Sequence, residues 1–466
     1  MTPASWETCS DELPDIEATE NLRRFREEMI PFIPYIYLPP DTTALQLRDT
    51  YPFFWLAVMS VASKSFKTRS SLGKQARKII AQKVVAGDER SLDLLFGILT
   101  YVTWSVPFPR YGMDKHFACL ASQLAVTLVW DLGLQQPPPE LTSRSYFGIR
   151  MPMCQPPARN ERTIEERRAV LGAFVITSRM SQTFKAADGL RWSPHLDEYL
   201  SYLAHNSTLP QDKVLVAQVK LQLIVNQIHY SSWKTSGVEI PPPYVDALQS
   251  QLDDIAGVNG TSIEFEKNPT MLELYHFTTL IIHESAIAKS PTSRPTEPAL
   301  RRYEAYQRLL SCVKAWLDAF FSMSLEMYYI MPCSTYSQLK YVICCLYNIT
   351  TSKDTAWNSA AAREVVDLTA TLDKVLHIFE QLRSLDDGGE EDEAVSFGIR
   401  QFHALKMAWQ SELASRDRDG EDDTNRQAGI VDGDATHGPG LSPGLSLNWV
   451  DYDMLMLPDM SDLSWQ

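Results

Sequence analysis

An all-α fold is predicted by three features of the sequence. Apolar residues recur at steps of three and four through most of the chain, strand-like alternation is hard to find, and caps and prolines separate the periodic segments. The stretch from Arg162 to Ala204 carries the pattern most clearly. Thr163 stands three residues before Glu166, a capping box in which each side chain reaches the other's backbone N–H, with the acids at the positive end of the helix dipole. Ala169 to Ile176 is then apolar on every face, which predicts a helix enclosed by neighbours, with Gly172 allowing one of them a close approach. Full burial of Leu171, Phe174 and Val175 contributes roughly 1.5–3 kcal/mol each. Ser193-Pro194 fits an N-cap followed by a first-turn proline, so a second helix turns Leu196, Tyr199, Leu200 and Leu203 inward.

Taken in order, residues 1–18 read as a flexible acidic lead-in, 19–414 as the helical body, 415–447 as a disordered acidic linker, and 448–466 as a separate acidic-aromatic segment. Within the body, Asn21 to Met29 reads as a short amphipathic helix, and the proline-punctuated run Pro31 to Pro40 as extended. Thr43 to Asp49, Pro52 to Ser65 and Ser70 to Val85 follow as helices, the last stopped by Gly87. Leu92, Leu95, Phe96 and Leu99 mark another, and Phe117, Leu120, Ala121, Leu124 and Leu128 the next, ended by Gly133 and a proline-rich loop over 135–161. Leu221, Ile224, Val225 and Ile228 lie on a helix running towards Trp233, and Pro241-Pro242-Pro243 precedes a short one through Leu252. Met271 to Ala288, Pro298 to Met323 and Thr335 to Thr350 follow. A last long helix places Val365, Leu368, Leu372, Val375, Phe379 and Leu382 on a heptad seam, expected to pack against its own domain rather than a second copy. Phe397 to Leu413 closes the body.

The composition of the 466 residues, 44% apolar and 22% charged, allows one large or two moderate cores. The longest strongly apolar run, Tyr51 to Ala62, is too short to span a bilayer, so no membrane partner is expected. Seven cysteines, at 9, 119, 154, 312, 333, 344 and 345, include no C-x-x-C pair and indicate neither a disulfide framework nor a zinc knuckle. Of the net charge of −15, a net −9 falls on the residues from Asp417 onward. No basic stripe is present that would neutralise several phosphates at once, so direct DNA binding by this chain is not expected.

Catalytic chemistry finds no constellation. Asp386-Asp387-x-x-Glu390 and Asn259-x-x-Ser262-x-x-x-Glu266 loosely match the magnesium motifs of terpene cyclases, yet in reversed order and in glycine-rich stretches ill-suited to presenting ligands on a helix. Glu273-x-x-His276 with His283-Glu284 lacks the second Glu-x-x-His that a di-iron bundle needs, so core or surface histidines are expected. No P-loop or G-x-G-x-x-G occurs, and catalytic and metal-binding residues are expected to be none. Arg191-Trp192 is read as a stem-buried arginine beside a core tryptophan rather than an anion site.

The runs EERRAVLG, LRWSPHLDEYL, GDERSLDLLFGILTYVTW and LVWDLGLQQPP resemble the middle homology region of fungal transcription factors, the regulatory domain that normally follows a six-cysteine binuclear zinc cluster. The resemblance covers residues 20 to 410 and rests on helical patterns and short phrases. It implies a nuclear regulator of a fungal pathway, often a secondary-metabolite gene cluster, whose helical domain regulates while an acidic end recruits a transcriptional coactivator. The cysteine cluster is not found ahead of Glu20, so zinc is expected only of a longer form, and DNA would be reached through a partner protein or such a form. A helical enzyme or small-molecule binder, or a co-regulator that dimerises with an intact factor, are the alternatives.

The last residues fit the resemblance. Trp449, Tyr452, Leu455, Leu457, Leu463 and Trp465 alternate with acids that include Asp451 and Asp453. Acids keep such a segment soluble while its bulky groups stay available to a hydrophobic groove, the composition of an acidic activation segment.

Overall fold

The computed structural model describes residues 13–105, 113–135, 161–184, 187–207, 209–231, 241–257, 268–287, 299–352, 354–384, 395–396, 398–411 and 413. All regular elements among these are helical, as the periodicity requires.

The first helix, α1 (Asp15–Arg24), begins at Asp15 rather than Asn21 and passes through a π-turn (Phe25–Met29) into a short 3₁₀ turn (Ile30–Phe32). Pro31 therefore sits in a helical turn rather than in extended chain. From Ile33 the chain is a non-helical strap whose Ile33, Tyr35, Ile36 and Leu38 are buried, an unusual place for a proline-rich run. Its polar groups find partners: the Phe32 carbonyl accepts from Gln218 (2.7 Å) and the Tyr35 hydroxyl meets that of Thr100 (2.5 Å).

Helices α2 (Ala44–Thr50), α3 (Pro52–Ala62), α4 (Phe66–Ile79) and α5 (Leu92–Trp104) form the N-terminal block. Thr43 and Gln46 close a capping box on α2, and the Asp93 carboxylate of α5 accepts from the first free N–H groups of α3, at Phe53 (3.1 Å) and Phe54 (2.8 Å). Beyond α4 a π-helical stretch, Ile80–Ala86, ends at Gly87, which stays right-handed, and Asp88 takes the positive φ of 54°.

Helix α6 (Met113–Asp131) ends at Gly133, whose φ of 65° suits glycine. The organising element is α7 (Ile164–Phe184), which packs against α5, α6, α8 (Pro194–Asn206), α9 (Pro210–His229) and, further on, α14 (Cys333–Thr351). Its capping box forms as read: the Thr163 N–H donates to Glu166 (2.8 Å) and the Glu166 N–H to the Thr163 hydroxyl (3.1 Å). Ser193 stands at the N-cap of α8 but gives it no side-chain bond, so Pro194 alone sets that start. Leu200 is half-buried, while Leu196, Tyr199 and Leu203 are core. The neighbour that Gly172 admits is the strap: a Cβ there would stand 2.1 Å from Tyr35 Cβ.

α9 leads to α10 (Pro242–Ala256), α11 (Pro269–Glu284) and α12 (Ala299–Phe321), with α11 lying along α9 and α12. A short helix that the sequence reading did not resolve, α13 (Leu325–Ile330), precedes α14. The expected last long helix is two, α15 (Ser359–Val365) and α16 (Leu368–Ser384), broken where Asp367 caps α16 through the Thr369 N–H (2.7 Å). Val365 is thereby off the seam and 55% exposed, while Leu368, Leu372, Val375, Phe379 and Leu382 are buried against the domain itself. Phe379 meets Tyr336 and Phe402 at ring centroid distances of 5.8 and 5.5 Å. The seam is thus filled by this chain and is not open to a second copy.

Candidate functional site

Buried charged groups lie near both ends of α7, paired at one and unpaired at the other. Near its start Arg168 and Asp212 form a bidentate ion pair, Nε to Oδ1 at 2.6 Å and Nη2 to Oδ2 at 2.8 Å, with Asp212 fully enclosed. Asp212 lies in the first turn of α9, where the helix dipole favours an anion, and the Ser207 hydroxyl donates to it as well. The long reach of apolar residues from 169 hides this pair in sequence, because nothing local marks Arg168 as buried.

Near the far end the arrangement differs. Arg179 of α7 and Glu273 of α11 are both buried, yet no ion pair closes between them, and Arg179 Nε and Glu273 Oε1 have no hydrogen-bond partner. Burial holds the Glu273 carboxyl up at about 8, opposed by Arg179 and the Trp316 indole. Burial also lowers Arg179 to about 10. Beside them runs a satisfied amide network in which Gln182 (2.9 Å) and Gln222 (3.1 Å) donate to the Asn226 side-chain oxygen and Asn226 donates to Ser178 (3.1 Å).

The Glu273, His276, His283 and Glu284 side chains of α11 go to separate surroundings. Glu273 faces Arg179, Glu284 accepts from the Tyr341 hydroxyl, and His276 is half-buried, so the four residues do not converge. Among the described residues no group of three His, Cys, Asp or Glu is placed to hold a metal ion. The terpene-cyclase matches, Asn259, Ser262, Glu266, Asp386, Asp387 and Glu390, lie outside the described residues, as do Trp449, Asp451, Tyr452, Asp453, Leu455, Leu457, Leu463 and Trp465. Cys312, Cys333 and Cys345 are buried and Cys119 and Cys344 half-buried, all as free thiols. Arg191 is exposed rather than stem-buried, while Trp192 packs on Phe174 (4.7 Å between centroids) and donates to Asp197 (2.9 Å).

A cleft of about 480 Å³ opens where α10, the end of α11 and the first turns of α12 meet. That volume is in the range of small-molecule sites. Pro242, Pro243, Val245, Ile287 and Ala305 give it apolar walls. His283 lines it while only 9% exposed, and burial, with Arg308 nearby, pushes its imidazole below the usual value so that it is neutral at pH 7. The sequence reading passed over this cleft because its walls come from three helices separated by unpatterned segments. The Pro-Pro-Pro start of α10 and the Arg301-Arg302 pair were the only local signs.

The described residues form a helical body organised around one enclosed helix, α7. A family model described as the WAR1 C-terminal domain matches residues 12–349, and a second, described as a C-terminal domain, matches residues 325–465. The chain belongs to the WAR1 C-terminal domain family, a regulatory domain of fungal transcription factors. It is 28% identical over 375 residues to the transcription factor opdL of Penicillium oxalicum, covering 78% of this chain and 65% of that one. It is 25% identical over 382 residues to a transcription factor of Aspergillus terreus, covering 77% of this chain and 55% of that one. With the transcriptional regulator WAR1 of Candida albicans it shares 21% over 284 residues, 59% of this chain and 29% of that one. The chain thus spans less than two thirds of the length of these relatives. These relatives are named transcription factors or a transcriptional regulator, and no described helix is long and apolar enough to cross a membrane.

Proposed function

We propose that this regulator is a nuclear activator of a fungal pathway, a secondary-metabolite gene cluster being the expected target, and that residues 448–466 deliver the activating contact to a coactivator. The helical body contributes regulation, and DNA is reached through a zinc cluster in a longer form or through a partner protein. The observation that carries the reading is the alternation of Trp449, Tyr452, Leu455, Leu457, Leu463 and Trp465 with Asp451, Asp453, Asp459 and Asp462, joined to a body whose relatives are named transcription factors. Such a segment folds on its target with modest affinity, which suits reversible recruitment.

Fusing residues 417–466 to a foreign DNA-binding domain is expected to switch on a reporter, and replacing Trp449, Leu455, Leu457 and Trp465 by alanine to silence it. An intact fusion that stays silent removes the activation reading.

A further inference from the structure

The α10–α11–α12 cleft holds polar groups that the protein itself leaves unused. His283 is nine-tenths buried, lines the cleft, and its ring nitrogens have no hydrogen-bond partner among the described residues. A neutral imidazole carries one donor and one acceptor nitrogen, so it calls for a partner able to supply a proton or accept one. Arg308, on the α12 side, makes no ion pair or hydrogen bond among the described residues. Its guanidinium offers donors to an oxygen lone pair.

The rim carries no net charge. Three arginines, 301, 302 and 308, are matched by Asp246, Glu304 and Asp354, and Arg302 is already held by Asp354 at 2.9 and 3.1 Å. A carboxylate entering the cleft would approach Arg308 but also Asp246 and Glu304, so a full negative charge is not selected. Pro242, Pro243, Val245, Ile287 and Ala305 supply the apolar part of the lining, and Tyr306, stacked on Trp357 at 5.1 Å and bonded to Ser352, is a rigid face suited to a ring.

We propose that this cleft binds a neutral, ring-bearing small molecule carrying a hydroxyl and a carbonyl, the hydroxyl donating to His283 and the carbonyl accepting from Arg308. The ring body lies on Pro242, Pro243 and Ile287. This goes beyond the activation reading and is tested on the purified chain without any reporter, so either can fail alone.

The test is calorimetric titration of the full chain into 7-hydroxyflavanone, which has both groups and no charge, with flavanone and 2-naphthoate as comparisons. 7-Hydroxyflavanone is expected to bind with a Kd of roughly 100 µM or tighter, the range for a ligand of its size. Flavanone, which lacks the hydroxyl, binds about tenfold more weakly. Arg308→Ala, an exposed substitution that leaves the core untouched, and His283→Phe, which keeps the ring volume, each weaken binding of 7-hydroxyflavanone about tenfold. Ala305→Trp, which fills the cleft, abolishes it while the helical circular dichroism is retained. Tighter binding of 2-naphthoate than of 7-hydroxyflavanone overturns the neutral-ligand claim. Absence of heat with 7-hydroxyflavanone, or unchanged binding in both Arg308→Ala and His283→Phe, overturns the site.

Discussion

The two ends of α7 hold the same kind of group in opposite circumstances. At Arg168 the guanidinium meets Asp212 in two short, aligned bonds, and a serine hydroxyl and a helix N-terminus complete the carboxylate's needs. At Arg179 an equally buried guanidinium faces a carboxyl it does not reach, and atoms on both are left without partners. Buried ion pairs offset their desolvation only when geometry is good and every remaining lone pair and proton is used. The first end is therefore a lock, and the second is a strained place where protonation state and packing trade against each other.

The largest test of that contrast is Asp212→Ala, which leaves Arg168 charged and enclosed. It is expected to cost about 3–5 kcal/mol, read as a drop in the urea midpoint of the purified chain. A cost under about 1 kcal/mol would mean that water reaches Arg168 and that the lock is not one. Gly172→Ala comes next, since its methyl would overlap Tyr35 of the strap between the two ends, at an expected cost of about 1–3 kcal/mol by the same measurement.

Glu273→Gln removes the ionisable group at the strained end and changes the pH dependence. Between the unfolded carboxyl value of about 4.5 and the folded value of about 8, the unfolded chain releases the Glu273 proton while the folded chain keeps it, so rising pH favours unfolding. The stability that this group contributes is present below about pH 4.5 and lost by about pH 8. Relative to Glu273→Gln, the native chain should lose roughly 1 kcal/mol per pH unit across that window, followed by thermal unfolding at pH 5, 6, 7 and 8. Parallel pH profiles for the two chains would show that Glu273 is charged and matched after all. The smallest effect is Thr163→Ala, which removes one side of the capping box next to the lock and is expected to cost about 1 kcal/mol without altering either pair.

Much of the body was legible before its coordinates. The capping box at Thr163, the first-turn proline at Pro194, the stop at Gly133 and the enclosed run Ala169 to Ile176 all depend on local backbone chemistry or on a face-wide apolar pattern, and each formed as read. What escaped the reading depends on partners distant in sequence. The strap at Ile33 to Leu38 looks like surface proline chain until Gln218, Thr100 and Gly172 are seen to receive it. The break before α16 escaped because the apolar spacing of Val365 and Leu368 continues across Asp367, whose capping role overrides it. The cleft escaped for the same reason as the charge pairs, since His283, Asp246 and Arg308 become neighbours only when three helices meet.

From the sequence alone came the helical class, the order of most helices, the central place of α7 and the acidic-aromatic composition of residues 448–466, because each is written in short-range periodicity, capping and composition. The tertiary structure alone decided which charges are paired inside the core, where a proline-rich segment is buried, that the α16 seam is filled by its own domain, and that a cleft lies beside His283. Burial energy follows composition and period, whereas hydrogen bonds and ion pairs require groups brought within about 3 Å of one another, a condition that only the folded chain imposes.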